Sequence, residues 1–154
     1  MQFNLVYICN EMIEQDLNNL KLENQLCFPI YVFVRDIVNE YRQLLNDLDL
    51  TYPQYLVLLV LWEKEDMTVN QIGEKLSLDS GTLTPLLKRL EQKEIVTRVR
   101  SKNDERVVKI NLTKHGKDLQ IKACKIPSKL AEKMNISMED LMDLKRIITK
   151  IKSK

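Results

Sequence analysis

Glycine and proline are scarce, with three and four in 154 residues. A many-stranded sandwich or barrel needs a turn every few residues, so this scarcity argues for a mainly helical chain. Long apolar runs are also missing. The longest, LVLLVLW at 56–62, is far too short to span a bilayer. No basic stretch precedes an apolar block near Met1, so we expect no secretory leader and no membrane partner. There is one histidine, and the three cysteines form no CxxC pair, which makes a structural zinc site or a disulfide framework improbable. We therefore expect neither metal nor cofactor. Cys9, Cys27 and Cys124 read as thiols of a reduced, cytoplasmic compartment. What is present is an apolar fraction of 44% and a charged fraction of 30%, enough for one folded domain.

The net charge of +2 says little about partners, but the charge is sorted along the chain. Residues 1–70 hold 4 basic and 11 acidic side chains, residues 88–109 hold 8 basic and 4 acidic, and residues 114–154 hold 11 basic and 5 acidic. A short basic segment in a near-neutral protein suits local contact with a polyanion. A solvated face explains the same residues about as well until neighbouring elements are considered.

Helical spacing places Ile13, Leu17 and Leu20 on one face of residues 12–22. Pro29 marks a helix start, and Ile30, Val34, Ile37, Val38, Tyr41 and Leu45 stripe the segment to Leu48. Thr51 with Gln54, and Thr68 with Gln71, have the capping-box spacing and open two further helices. Asp79 or Ser80 caps the next, with Leu83, Leu86, Leu87 and Leu90 inward. The period then changes. IVTRVR at 95–100 and RVVKINL at 106–112 are β-branched and alternating, joined by polar SKNDE, and predict a hairpin. Thr113 caps another helix, which Pro127 should end or kink. Ser137 with Asp140 caps a last helix striped by Leu141, Leu144, Ile148 and Ile151.

Three helices followed directly by a two-stranded wing form a winged helix-turn-helix. Its second turn helix lies in the major groove, while a long cation on the hairpin can enter the minor groove. In DSGTLTPLLKRLEQ the buried leucines leave Ser80, Thr82, Thr84, Lys88 and Arg89 outward. Hydroxyls at the helix start can bond phosphates or bases, and the two cations can neutralise backbone charge. Pro85 falls more than a turn past the cap and predicts a kink or a delayed start. On the wing, Arg98, Arg100, Lys102 and Arg106 cluster around Asp104 and Glu105. Asp104, two residues before Arg106, can orient the guanidinium and leave it free to reach out.

Residues 79–92 (DSGTLTPLLKRLEQ) and 104–113 (DERVVKINLT) resemble the DNA-binding lobe of the MarR family of bacterial repressors. KLENQLCF at 21–28 and LTYPQY at 50–55 resemble its organic-hydroperoxide-sensing branch. The resemblance runs colinearly over about residues 21–152. It implies a mainly α fold with a small β-wing and dimerisation helices at both ends. Residues 1–11 would be a flexible extension and 12–154 a single domain, with dimerisation helices at 12–48 and 114–152 and a DNA-binding lobe at 51–113. It also implies a homodimer on double-stranded operator DNA, with Arg106 in the minor groove beside Asp104.

Cys27 lies just before Pro29, near a helix N-terminus whose positive end favours thiolate. Only the thiolate attacks a peroxide O–O bond. An isolated cysteine between Leu26 and Phe28 is more often inert packing. The resemblance reverses that judgement. It makes Cys27 the sensor and Tyr31, Tyr41 and Tyr52 its hydrogen-bonding tyrosines, one contributed by the partner subunit. Two-cysteine members of the branch resolve the oxidised sulfur with a C-terminal cysteine. Cys124 sits about two helical turns too early for that, so capping by a low-molecular-weight thiol, or overoxidation, is favoured. The expected protein is a repressor and not an enzyme. A thiol peroxidase would consume peroxide catalytically, and the nearer alternative is a MarR-type repressor released by a small aromatic ligand.

Overall fold

The computed structural model describes residues 16–100 and 107–152. The chain divides into two compact units, one ending at Asn39 and one beginning at Glu40. In the first, residues 16–19 are helical, a 3-10 turn covers Leu22–Asn24, and helix α1 (Cys27–Asn46) begins. The Asn24 and Gln25 side chains donate to the carbonyls of Asn18 and Asn19, which ties the turn to the residues before it. No side chain of residues 16–39 is buried.

The second unit holds α2 (Tyr52–Glu63), β1 (Met67–Thr68), α3 (Val69–Leu76), α4 (Ser80–Gln92), β2 (Val96–Arg100), β3 (Val108–Leu112), α5 (Lys114–Ala123), α6 (Ile126–Met134) and α7 (Met138–Lys152). Helix α2 is apolar all round, as a central helix must be, and buries Tyr55, Val57, Leu58, Val60 and Leu61. Its start is set by Pro53 in the first turn and by Gln54 Oε1, which accepts from the Thr51 backbone N–H at 3.0 Å. Thr68 and Gln71 complete a reciprocal box on α3, at 2.9 and 3.2 Å. Three residues then turn the chain into α4. Ser77 takes a left-handed φ of 54°, and the Leu78 N–H returns to the Gly73 carbonyl at 2.9 Å. A Cβ at residue 73 would lie 2.7 Å from the Leu78 oxygen, so this tight corner requires glycine.

The wing strands pair antiparallel from Val96 opposite Leu112 to Arg100 opposite Val108. A third strand joins them. Met67 pairs with Ile110, giving the order β1-β3-β2. Two residues carry no readable period, so the sequence shows no sign of β1. Ile72, Leu83, Leu87, Leu90, Ile95, Val96 and Ile110 close the core against α2. Leu86, expected inward, is only half-buried.

Pro85 does not delay α4, which runs unbroken from Ser80 with the proline inside it. Pro127 behaves as expected. The helix from Thr113 ends at Ala123, and Pro127 stands in the first turn of the next. On α7, Met142, Ile147, Ile148 and Ile151 are exposed. Among the described residues no helix is long and apolar enough to cross a membrane.

Candidate nucleic-acid interface and thiol site

Asp79 is the cap of α4. Its carboxylate accepts from the Thr82 backbone N–H at 2.8 Å and from the Thr82 hydroxyl at 3.0 Å. Those bonds, the backbone one first, hold the carboxyl below its ordinary range. The Thr84 hydroxyl donates to the Ser80 carbonyl at 2.7 Å. Both threonine protons are thus engaged within the helix, so outward they offer acceptor lone pairs, which suit a base amine better than a phosphate. Ser80, Lys88 and Arg89 are exposed.

The wing cations divide. Arg100 is exposed. Arg98 is 23% exposed and leans on Glu91 of α4, with Nη1 to carboxylate oxygen at 3.6 Å. Its Nε is buried without a partner among the described residues, beside a small cleft lined by Thr68, Asn70 and Thr84. Arg98 therefore braces the wing against α4. Lys102, Asp104 and Arg106 lie outside the described residues.

Cys27 is the first residue of α1 and is an exposed, free thiol. Pro29 falls in the same first turn. In that turn Pro29 has no N–H and the Phe28 N–H donates to the Gln25 carbonyl at 3.2 Å, so the turn offers the sulfur fewer free donors than a helix start ordinarily does. Tyr31 follows one turn later and is exposed. Tyr41 and Tyr52 belong to the other unit, which brings them together with ring centroids 4.4 Å apart. Tyr55, not singled out in the sequence, joins at 5.8 Å from Tyr41 and is itself 6.1 Å from Trp62. The signal for it is there to read: Tyr52, Tyr55 and Trp62 are spaced three and seven apart in the sequence. Burial, then the neighbouring Tyr52 and Tyr55, push the Tyr41 phenol up to about 12. Burial also raises Tyr52. Both phenols keep their protons at neutral pH and remain hydrogen-bond donors.

Cys124 is the cap residue after α5, and its thiol donates to the Ile121 carbonyl at 3.0 Å. It borders a cleft of about 290 Å³ with Leu59 and Pro127. Among the described residues no group of three His, Cys, Asp or Glu side chains is placed to hold a metal.

Comparison with known proteins places these features in a family. The family described as Transcriptional regulator SarA/Rot matches residues 40–122. The organic hydroperoxide resistance transcriptional regulator of Bacillus subtilis is 51% identical over 133 residues, which cover 86% of this chain and 90% of that protein. Among solved structures, reduced AbfR bound to DNA aligns with a TM-score of 0.74 at 36% identity, over 90% of this chain and 97% of that one. AbfR, a Staphylococcus epidermidis protein, is also known overoxidised on DNA and in a disulfide form. An Escherichia coli MarR mutant complexed with operator DNA aligns with a TM-score of 0.75 at 26% identity, over 82% and 92% of the two chains.

Proposed function

The chain belongs to the MarR family of winged-helix transcriptional regulators, and we propose that it is a cytoplasmic repressor which leaves its operator when an organic hydroperoxide oxidises Cys27. The observation that carries this reading is the free thiol at the first residue of α1, in one chain with a recognition helix and a wing.

The repressor is a homodimer. Residues 12–48 and 114–152 supply the dimer helices, and 51–113 the lobe that meets double-stranded DNA. The exposed apolar residues of the first unit and of α7 support this assignment, since a lone chain leaves them in water. One α4 and one wing serve each half-site, about one DNA turn apart. Ser80, Thr82 and Thr84 face the groove. Lys88, Arg89 and Arg100 take phosphates, Arg106 enters the minor groove beside Asp104, and Lys102 adds charge.

At the sensor, Cys27 reacts as its thiolate, and Tyr31, Tyr41 and Tyr52 are the phenols that hydrogen-bond the sulfur. The thiolate attacks the near peroxide oxygen. An S–O bond forms, the O–O bond breaks, and the alkoxide takes a proton and leaves as an alcohol, so sulfur loses two electrons and the peroxide gains them. The sulfenic acid then condenses with a low-molecular-weight thiol, forming an S–S bond and releasing water. The mixed disulfide inserts bulk where helices pack and alters half-site spacing. That overoxidised AbfR was solved on DNA supports a release driven more by the size of the adduct than by oxidation alone.

The test uses a duplex that the protein itself selects from a random-sequence pool. Cumene hydroperoxide with free cysteine should abolish binding, and intact mass should place the adduct on Cys27. Cys27→Ser should bind as well as wild type and ignore peroxide. A Cys27→Ser protein released as fast as wild type overturns the switch. Release of the reduced protein by salicylate would favour the aromatic-ligand alternative.

A further inference from the structure

We propose that Trp62 is a positioning residue that links the sensor tyrosines to the base of the wing; the proposal rests on the peroxide-switch reading above. Tyr41 and Tyr52 stack on each other, Tyr41 lies against Tyr55, and Tyr55 meets Trp62 edge-on. Tyr55 is 2% exposed and Tyr41, Tyr52 and Trp62 are half-buried, so this row of rings packs along the edge of the core. Its far end is pinned, because Trp62 Nε1–H donates to the Gly116 carbonyl at 3.0 Å.

Gly116 is in the first turn of α5, which clamps both wing strands. The Thr113 N–H donates to the Ile95 carbonyl at 3.0 Å, and its hydroxyl donates to the Glu94 carbonyl at 2.6 Å. The Thr113 oxygen accepts from the Gly116 N–H at 3.1 Å. Ile95 leads into β2 and Leu112 ends β3. A Cβ at residue 116 would collide with the Ile95 carbonyl and stand 3.0 Å from Leu112 Cδ2, so α5 sits directly against the wing base. Close-packed interiors shift between discrete arrangements and do not deform smoothly. A displacement of Tyr41 and Tyr52 on oxidation therefore moves Trp62, the first turn of α5 and the roots of the strands that carry Arg98 and Arg100. The Lys117–Glu65 ion pair, 2.8 Å long, ties the same turn to the loop after α2 at the surface. Both its side chains are about half exposed, so it holds weakly and serves as the comparator.

Trp62 is the only tryptophan, so indole emission reports on this residue alone. The experiment uses the full chain, the selected duplex, and cumene hydroperoxide with cysteine. It measures the ratio of oxidised to reduced Kd, the Cys27 oxidation rate by intact mass, and Trp62 emission. Trp62→Phe keeps the stack and deletes the donor. We expect reduced-state affinity and oxidation rate within about threefold of wild type, and a Kd ratio lowered at least about tenfold. Lys117→Ala should leave the ratio unchanged. In wild type, emission should shift on oxidation, and in Cys27→Ser it should not. An unchanged ratio in Trp62→Phe, or still emission while Cys27 is oxidised and DNA departs, overturns the link and leaves the peroxide reading standing. Oxidation of wild-type Cys27 without DNA release overturns both. Should Trp62→Phe fail to fold, the wild-type emission measurement decides alone.

Discussion

The lobe and the terminal helices are written in the same code and end differently. From Leu45 to Ile126 the chain buries most of its apolar positions in one core, Leu59, Val99 and Ile121 apart. Residues 16–39 and α7 carry stripes of the same spacing and bury none of them. A hydrophobic period states that a face will be covered. It does not state by what. In the lobe the cover is supplied by other elements of the same unit. For the terminal helices the proposed cover is a second copy of the chain.

The sharpest way to break that comparison is a charge on the uncovered stripe. Ile148→Glu should convert dimer to monomer in sedimentation equilibrium and weaken DNA binding about 100-fold or more, because one half-site is lost. A dimer of unchanged affinity would place the seam elsewhere. Inside the lobe, Leu87→Ala truncates a fully buried side chain. It should cost about 2–5 kcal/mol in urea unfolding. A loss below about 1 kcal/mol would mean the lobe is not a close-packed core of its own.

Smaller effects test the joints. Thr113→Val keeps the shape of the cap but deletes the hydroxyl that serves Glu94, Ile95 and Gly116. We expect a loss of about 1–2 kcal/mol. No loss would show that the wing base does not depend on this cap. The smallest effect concerns Tyr41, whose phenol is raised from 10.0 to about 12 by burial and its neighbours. Below its ordinary value both folded and unfolded chains hold the proton, and the contribution is fully present. Between 10.0 and about 12 the unfolded chain releases the proton first, so stability falls as pH rises. Tyr41→Phe should flatten that slope in unfolding curves taken across the window. An unchanged slope would assign the alkaline loss to other groups.

Much of this is legible in the sequence because it is local. The Thr51, Thr68, Thr113 and Ser137 caps, the split at Pro127 and the alternation of the wing strands involve residues within a few positions of one another. Cys27 is legible as a helix-start residue for the same reason. What escapes is either long-range or a matter of which way a side chain turns. Strand β1 exists only because β3 lies beside it. Arg98 looks like a free wing cation until Glu91 is found against it. Thr82 and Thr84 look available until their protons are traced to Asp79 and Ser80. Pro85 looks disruptive, yet α4 continues past it to Gln92.

The sequence alone determines where helices begin, where the period changes to strand, and which thiol sits at a helix start, since each depends on neighbours along the chain. The tertiary structure decides which tyrosines share a stack, that Trp62 reaches Gly116, and which cations are held down, since each depends on side chains of separate elements meeting once those elements pack.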